Sequence, residues 1–287
     1  LVSVEGNPKL VASCATTVTE GMVVTTESVA AVKNRQGVLG LLLERYPTED
    51  IPDGGYRNEF EQLVRRYNVP TTRRSGMPLR TGDERDDDPI IQHDMSTCIL
   101  CTRCVRACED IQVVGVLDVA NRGDHTEIIV GADGNPEHAG CTWCGECVRV
   151  CPTGAIHDII PMAVRAANGQ MVERMRSRDL PVVDRNVRSV CPYCGVGCQI
   201  DLQVRDEKVV HVRSPWIEEN TPNNGSTCVK GRFGTDFIQH RDRLLKPLIR
   251  RGWEKKDGRW VFDASLHERE GWQRRGGPWD RVQEESR

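Results

Sequence analysis

Aromatic side chains make up only 5% of this sequence, so little bulky apolar material is available to fill a core. At 287 residues the chain is long enough for two or three ordinary domains, yet its middle must draw folding free energy from something besides apolar burial. Long hydrophobic runs are missing too. No stretch approaches the roughly 18 apolar residues of a membrane span. Nor is there an excess of one charge: 39 Lys and Arg face 42 Asp and Glu, a net of −3. Without basic blocks or a basic amphipathic helix, that balance argues against a nucleic-acid partner and against binding at a membrane surface.

Cysteine is what the chain has in quantity, thirteen in all. Triplets spaced by two residues make poor disulfide partners and good metal loops, which points to a reducing, cytoplasmic setting. CILCTRCVRACE and CTWCGECVRVCPTGAI both read C-x2-C-x2-C-x3-C, the run of a two-cluster iron–sulfur ferredoxin. Three thiolates on a tight loop hold three corners of a cubane, and the fourth, launched into the following helix, ligates the other cluster. On that rule Cys98, Cys101, Cys104 and Cys151 hold one [4Fe–4S] cluster, and Cys141, Cys144, Cys147 and Cys108 hold the second. Zinc prefers two separated cysteine or histidine pairs, and two complete four-cysteine runs argue against it. Pro152 follows the second run as in the bacterial pattern, whereas Glu109 stands in place of proline after the first. No general base or nucleophile constellation appears beside the cysteines.

A third set, Cys191, Cys194, Cys198 and Cys228, stands as C-x2-C-x3-C-x29-C. Gly195 and Gly197 free the backbone to wrap a cluster. QIDLQVRDEKVVHVR predicts a hairpin turning at Asp206-Glu207, and the last ligand returns through an Asn/Gly-rich loop. A four-cysteine zinc ribbon is the alternative for this set.

In residues 1–26 the β-formers broken by Gly6, Asn7 and Pro8 predict a hairpin and a third strand, with Cys14 between them. A lone cysteine in such a segment reads first as a buried small hydrophobe. Val29, Val32, Leu39, Leu42, Leu43 and Tyr46 then follow helical spacing, as do Phe60, Leu63, Val64 and Tyr67, and Pro70 closes the second helix. Residues 71–88 and 161–187 read as charged linkers, and the stretch around Asn121-Arg122-Gly123 as a hairpin inserted between the cluster runs. His93, His125 and His138 each stand alone in polar sequence and read as surface or hydrogen-bonding histidines, not ligands.

Several of these stretches resemble one family. VEGNPKLVASCATTVTEGMVVTTES resembles the C-terminal part of the plant-type [2Fe–2S] domain that opens the large subunits of NAD-linked formate dehydrogenases and related complex I proteins. CPYCGVGC, the distant Cys228 and VKGRFG resemble the [4Fe–4S] subdomain at the front of molybdopterin oxidoreductases. The resemblance implies that Cys14 is the fourth ligand of a [2Fe–2S] site whose other ligands fall outside this sequence. It also implies that Lys230 lies on the electron path between the third cluster and a pterin. Relatives place a one-histidine, three-cysteine cluster between the two helices, but RYPTEDIPDGGYRNEF offers no such ligand and that cluster is expected to be absent.

The expectation is therefore an α+β, multi-module iron–sulfur protein. Residues 1–30 form an incomplete [2Fe–2S]-type segment, 31–88 a helical spacer, 89–160 a two-cluster ferredoxin-type domain, 161–187 a linker, 188–245 a molybdopterin-oxidoreductase [4Fe–4S] subdomain, and 246–287 a disordered or out-of-frame tail. The chain looks truncated at both ends. It would carry three [4Fe–4S] clusters. A [2Fe–2S] cluster and a molybdenum or tungsten bis-pterin guanine dinucleotide would be present only in the complete subunit, so the chain alone would be inactive. In that subunit formate would be oxidised to CO2 and electrons passed to NAD-reducing diaphorase-type partners bearing flavin and iron–sulfur centres. A complex I large-subunit-like fragment, a nitrate reductase-like fragment and a free-standing polyferredoxin are the rival readings.

Overall fold

The computed structural model describes residues 1–52, 55–73, 78–80, 88–160, 164–165, 168–215, 221–240, 243, 248–250, 253–262 and 279–281. Two compact units divide the chain, Leu1–Thr235 and Asp236–Arg287.

The first unit opens on β1 (Ser3–Val4) paired antiparallel with β2 (Val24–Thr25), with an isolated bridge from Val2 to Val11. These strands are too short to shelter what lies between them. Cys14 consequently sits exposed in a 3-10 turn, Ser13–Ala15, and not as the buried hydrophobe its residue type suggests.

Helices α1 (Val29–Leu43) and α2 (Glu59–Arg66) follow, each started by a side-chain cap: Ala31 N–H donates to Ser28 Oγ at 3.2 Å and Glu61 N–H to Asn58 Oδ1 at 3.0 Å. Between them Leu39, Leu43, Tyr46, Phe60, Val64 and Val69 are buried, with Phe60 edge-on to Tyr46 at 5.0 Å. Full burial of such side chains stabilises by roughly 1.5–3 kcal/mol each. Val29, expected on the apolar stripe, is exposed, because the short α2 covers only the C-terminal part of α1.

The middle of the unit runs β3 (Ile91–His93), α3 (Arg103–Arg106), β4 (Leu117–Ala120), β5 (Glu127–Val130), α4 (Glu146–Val150) and β6 (Ile156–Ile160). β3 and β6 pair antiparallel, Ile91 opposite Asp158 and His93 opposite Ile156. β4 and β5 form the inserted hairpin, turning where Asn121 and Gly123 take positive φ of 62° and 63°. The charged stretch 161–187, expected to be a linker, carries more than that among its described residues. β7 (Val164–Arg165) and β8 (Met171–Val172) pair with each other, and β9 (Met175–Arg176) joins the free edge of β6, completing a three-stranded sheet β3-β6-β9. Strands of two residues are too short to show alternation in sequence.

The unit closes on a meander of β10 (Arg185–Val190), β11 (Gln199–Arg205) and β12 (Lys208–Arg213), then α5 (Val229–Phe233). Asp206 and Glu207 make the predicted turn, both left-handed at φ 50° and 59°. Ile200, Val204, Val210 and Val212 are the buried apolar positions of that sheet, and Gln203 is buried with them.

In the second unit β13 (Leu248–Arg250) pairs with β16 (Trp279–Arg281), and β14 (Trp253–Lys256) with β15 (Arg259–Phe262). The disordered or out-of-frame tail expected from 246 thus contains a hairpin. Its cause is Asp257-Gly258, at φ 51° and 81°, the dipeptide that favours a tight two-residue turn. Residues 263–278 and 282–287 lie outside the described residues.

Candidate metal centres

The two ferredoxin-type loops share one backbone conformation. Leu100 and Trp143, each the second residue between the first pair of cysteines, are left-handed at φ 54° and 47°. This turns their N–H groups onto the preceding sulfurs, Leu100 N–H to Cys98 Sγ and Trp143 N–H to Cys141 Sγ, both at 3.4 Å. Thr102 and Gly145, directly after the second cysteines, are left-handed as well, at 58° and 71°, and start α3 and α4. Those helices carry the later cysteines of each run. Cys108 lies where α3 widens into a π-turn, Ala107–Ile111, which also contains Glu109.

The helices send their last cysteines across. One cavity is lined by Cys98, Cys101, Cys104 and Cys151, and another by Cys108, Cys141, Cys144 and Cys147. Further N–H groups point at the crossing sulfurs, Val116 to Cys108 Sγ at 3.3 Å and Ile156 to Cys151 Sγ at 3.5 Å. Such bonds stabilise charge on thiolate and tune whatever the thiolate binds.

Burial pushes the Cys98 thiol up to about 11 against the opposing Leu100 N–H bond, and Cys151 and Cys101 add to the rise. Burial, then Cys151, Cys98 and Cys101, carries Cys104 to about 12. Cys147 is raised well above its ordinary value by burial and by Cys144, Cys104, Cys141 and Cys108. Crowded thiols of this kind stay protonated until a metal displaces the protons. Among the described residues no three His, Cys, Asp or Glu side chains are grouped closely enough to share a single ion. The cysteines line the walls of their two cavities instead.

The third set is built on the meander. Cys191 N–H donates to the Cys198 carbonyl at 2.8 Å, and Cys191 is buried with Ile200 and Val212. Asn223 shapes the loop that brings back Cys228: its Oδ1 accepts from Gln199 N–H at 2.9 Å and its Nδ2 donates to Ser226 O at 2.7 Å. Burial raises the Cys198 thiol, and Cys191, Cys194 and Cys228 add to the rise. A Cβ on Gly231 of α5 would stand in ordinary van der Waals contact with Cys191 Sγ, at 3.5 Å. Lys230 is exposed on the same helix.

Cys14 lines neither ferredoxin-type cavity. His125 and His138 are exposed, His138 Nδ1 at 2.8 Å from Asp133 Oδ2. His93 is buried and lines both cavities, so of its reading as a surface or hydrogen-bonding histidine the surface half fails.

The sequence gives no signal for the charged groups that join the modules. α2 reaches the second run through Phe60 N–H to Pro152 O at 2.9 Å, and Glu59 takes a two-pronged ion pair from Arg103 at 2.7 and 3.0 Å. Asp158 of β6 accepts from His211 of β12 at 2.7 Å. Burial works against the Asp158 charge, but the His211 charge and hydrogen bond hold its carboxyl far below the usual range. Arg232, buried, crosses from α5 to the loop of Cys144.

Comparison with known proteins identifies two domains. Residues 88–157 match the ferredoxin-like domain of NADH-quinone oxidoreductase subunit 3, and residues 184–240 the Fe4S4 domain of molybdopterin oxidoreductases. The chain thus contains two regions that match iron–sulfur domains of oxidoreductases. It is 36% identical over 254 residues to an NADH-quinone oxidoreductase subunit of Rhizobium meliloti, covering 88% of this chain and 27% of that protein. NADPH-Fe(3+) oxidoreductase subunit alpha of Geobacter sulfurreducens is 32% identical over 87% of this chain and 27% of its own length. A Staphylococcus haemolyticus protein named for formate dehydrogenase is 26% identical, over 91% of this chain and 28% of its own length. The chain thus spans little more than a quarter of the curated relatives it matches. Among the described residues no helix is long and apolar enough to cross a membrane.

Proposed function

We propose that this chain is the electron-transfer portion of an NAD(P)-linked oxidoreductase subunit and holds three [4Fe–4S] clusters. The first is assigned to Cys98, Cys101, Cys104 and Cys151, the second to Cys108, Cys141, Cys144 and Cys147, and the third to Cys191, Cys194, Cys198 and Cys228. The observation that carries this is the sorting of the eight ferredoxin-type cysteines into two cavities, each drawing three from one run and one from the other. Thiolate-bound clusters supply one-electron transfer at potentials tunable over roughly −700 to +450 mV. The chain's own part is to hold the sulfurs, aim N–H groups at them and exclude water.

Formate is the proposed electron source, oxidised at a molybdenum or tungsten bis-pterin centre of the complete subunit. The Fe4S4 match over 184–240 supports that placement, with Lys230 between the third cluster and the pterin. Diaphorase-type subunits that reduce NAD are the proposed acceptors. A second reading, a subunit of an NADH-quinone oxidoreductase type of complex, is favoured by the higher identity to the Rhizobium meliloti protein.

Anaerobic reconstitution followed by iron and sulfide analysis and low-temperature EPR tests the cluster assignment. About twelve irons per chain are expected; about four, or tightly bound zinc, would sink it. Formate-dependent acceptor reduction by the complete enzyme from its source organism separates the two readings, since the second predicts none.

A further inference from the structure

Arg232 belongs to the helix that follows Cys228, yet its side chain leaves that helix for the second ferredoxin-type loop. Nε–H donates to the Cys144 carbonyl at 3.0 Å and Nη2 to Ser214 Oγ at 3.1 Å. The residue is only 5% exposed. No ion pair joins it to a carboxylate among the described residues. The groups whose negative charge acts on it are Asp158 and Glu146, which also bond His211 and Arg149, followed by the sulfurs of Cys147 and Cys144.

The loop is built to admit this arginine. A Cβ on Gly145 would fall inside the van der Waals shell of Arg232 Cδ and Nε. In the first loop the equivalent position, with the same left-handed backbone, is Thr102, which carries a full side chain. The two loops therefore differ where Arg232 enters one of them.

A guanidinium cannot shed its proton, and burying it is strongly unfavourable unless negative groups offset it, a part that Asp158 and Glu146 share with the sulfurs of Cys147 and Cys144. A thiolate-ligated cluster is an anion, and reduction makes it more negative. We propose that Arg232 is a positioning cation for the cluster of Cys108, Cys141, Cys144 and Cys147, clamping its loop and making that cluster easier to reduce than it would be without the charge. This rests on the reading that those four cysteines hold a [4Fe–4S] cluster.

The test is an EPR-monitored redox titration of the reconstituted chain, with the second cluster's signal identified as the one lost in Cys141→Ala. In Arg232→Met the reduced-to-oxidised ratio of that signal at fixed potential should fall about tenfold, roughly 59 mV for one electron, with the other signals unmoved. Arg232→Lys, which keeps the charge, should stay within about twofold of wild type by the same relation. Wild-type potentials in a fully loaded Arg232→Met, or an equal fall in Arg232→Lys, would overturn the proposal, since a purely packing role shifts neither or both alike. Should Arg232→Met not take up iron, the lysine variant decides: loading at wild-type potentials sustains the charge requirement, and failure to load overturns it. A wild-type chain that binds no cluster at Cys108, Cys141, Cys144 and Cys147 would defeat the underlying assignment instead, before any Arg232 variant is compared.

Discussion

Glu61 is fully buried beneath the helix pair, yet it is held as a carboxylate. Arg57 donates to it from Nη2 at 2.7 Å and from its backbone N–H at 2.8 Å, and the Tyr46 hydroxyl donates at 2.8 Å. Burial alone would raise the Glu61 carboxyl, but these bonds outweigh it and bring the group below its ordinary 4.5. A carboxyl depressed in the folded chain adds stability that is complete above the unfolded value and lost as pH falls through the folded one. Glu61→Gln should therefore destabilise the chain by roughly 1–3 kcal/mol near neutral pH, a range kept modest because Arg57 is partly exposed. The difference in melting temperature from wild type should be flat above about pH 5 and shrink below about 4.5. A difference that stayed constant down to pH 4 would show that the charge plays no part. At this scale the sequence was legible where chemistry is local: the cysteine runs and the turn at Asp206-Glu207 stood out by spacing and residue type. Arg232, Asp158 and Glu61 did not, because each acts on a partner remote in sequence or buried by packing that no short window records.

Helices α3 and α4 are short, four and five residues, and neither would persist alone in water. Each is held at its start by a left-handed residue and at its end by a cysteine that faces the other run's cavity. Cys108→Ala should deplete the cluster of Cys141, Cys144 and Cys147, and Cys151→Ala that of Cys98, Cys101 and Cys104. EPR of the two variants must then differ in the sense opposite to sequence proximity; loss of each run's own cluster would refute the crossing. The hairpins of β4 with β5 and of β11 with β12, and both longer helices, were readable because their periodicity extends over enough residues. β9 was not, since its two residues become a strand only by lying against β6.

Across the molecule apolar burial is divided among small clusters, and those around the cysteines are the least able to stand without metal. The helix pair has an apolar core of its own. Chelating the iron should accordingly raise amide hydrogen exchange most in 95–160 and 191–231 and least in 29–66. A uniform rise would mean that the whole first unit folds as one cooperative body. The sulfurs of Cys98, Cys101 and Cys104 share their cavity with Cys151, which lies beyond the hairpin of β4 and β5, at the end of the second run. During synthesis the first loop emerges from the ribosome with three thiols in place and its fourth corner not yet translated. When Cys151 follows, Cys141, Cys144 and Cys147 are already out and can take up Cys108. The chain's topology thus makes the two ferredoxin-type sites ripen at nearly the same moment, and a ribosome paused between the runs would hold a nascent chain with neither site able to close.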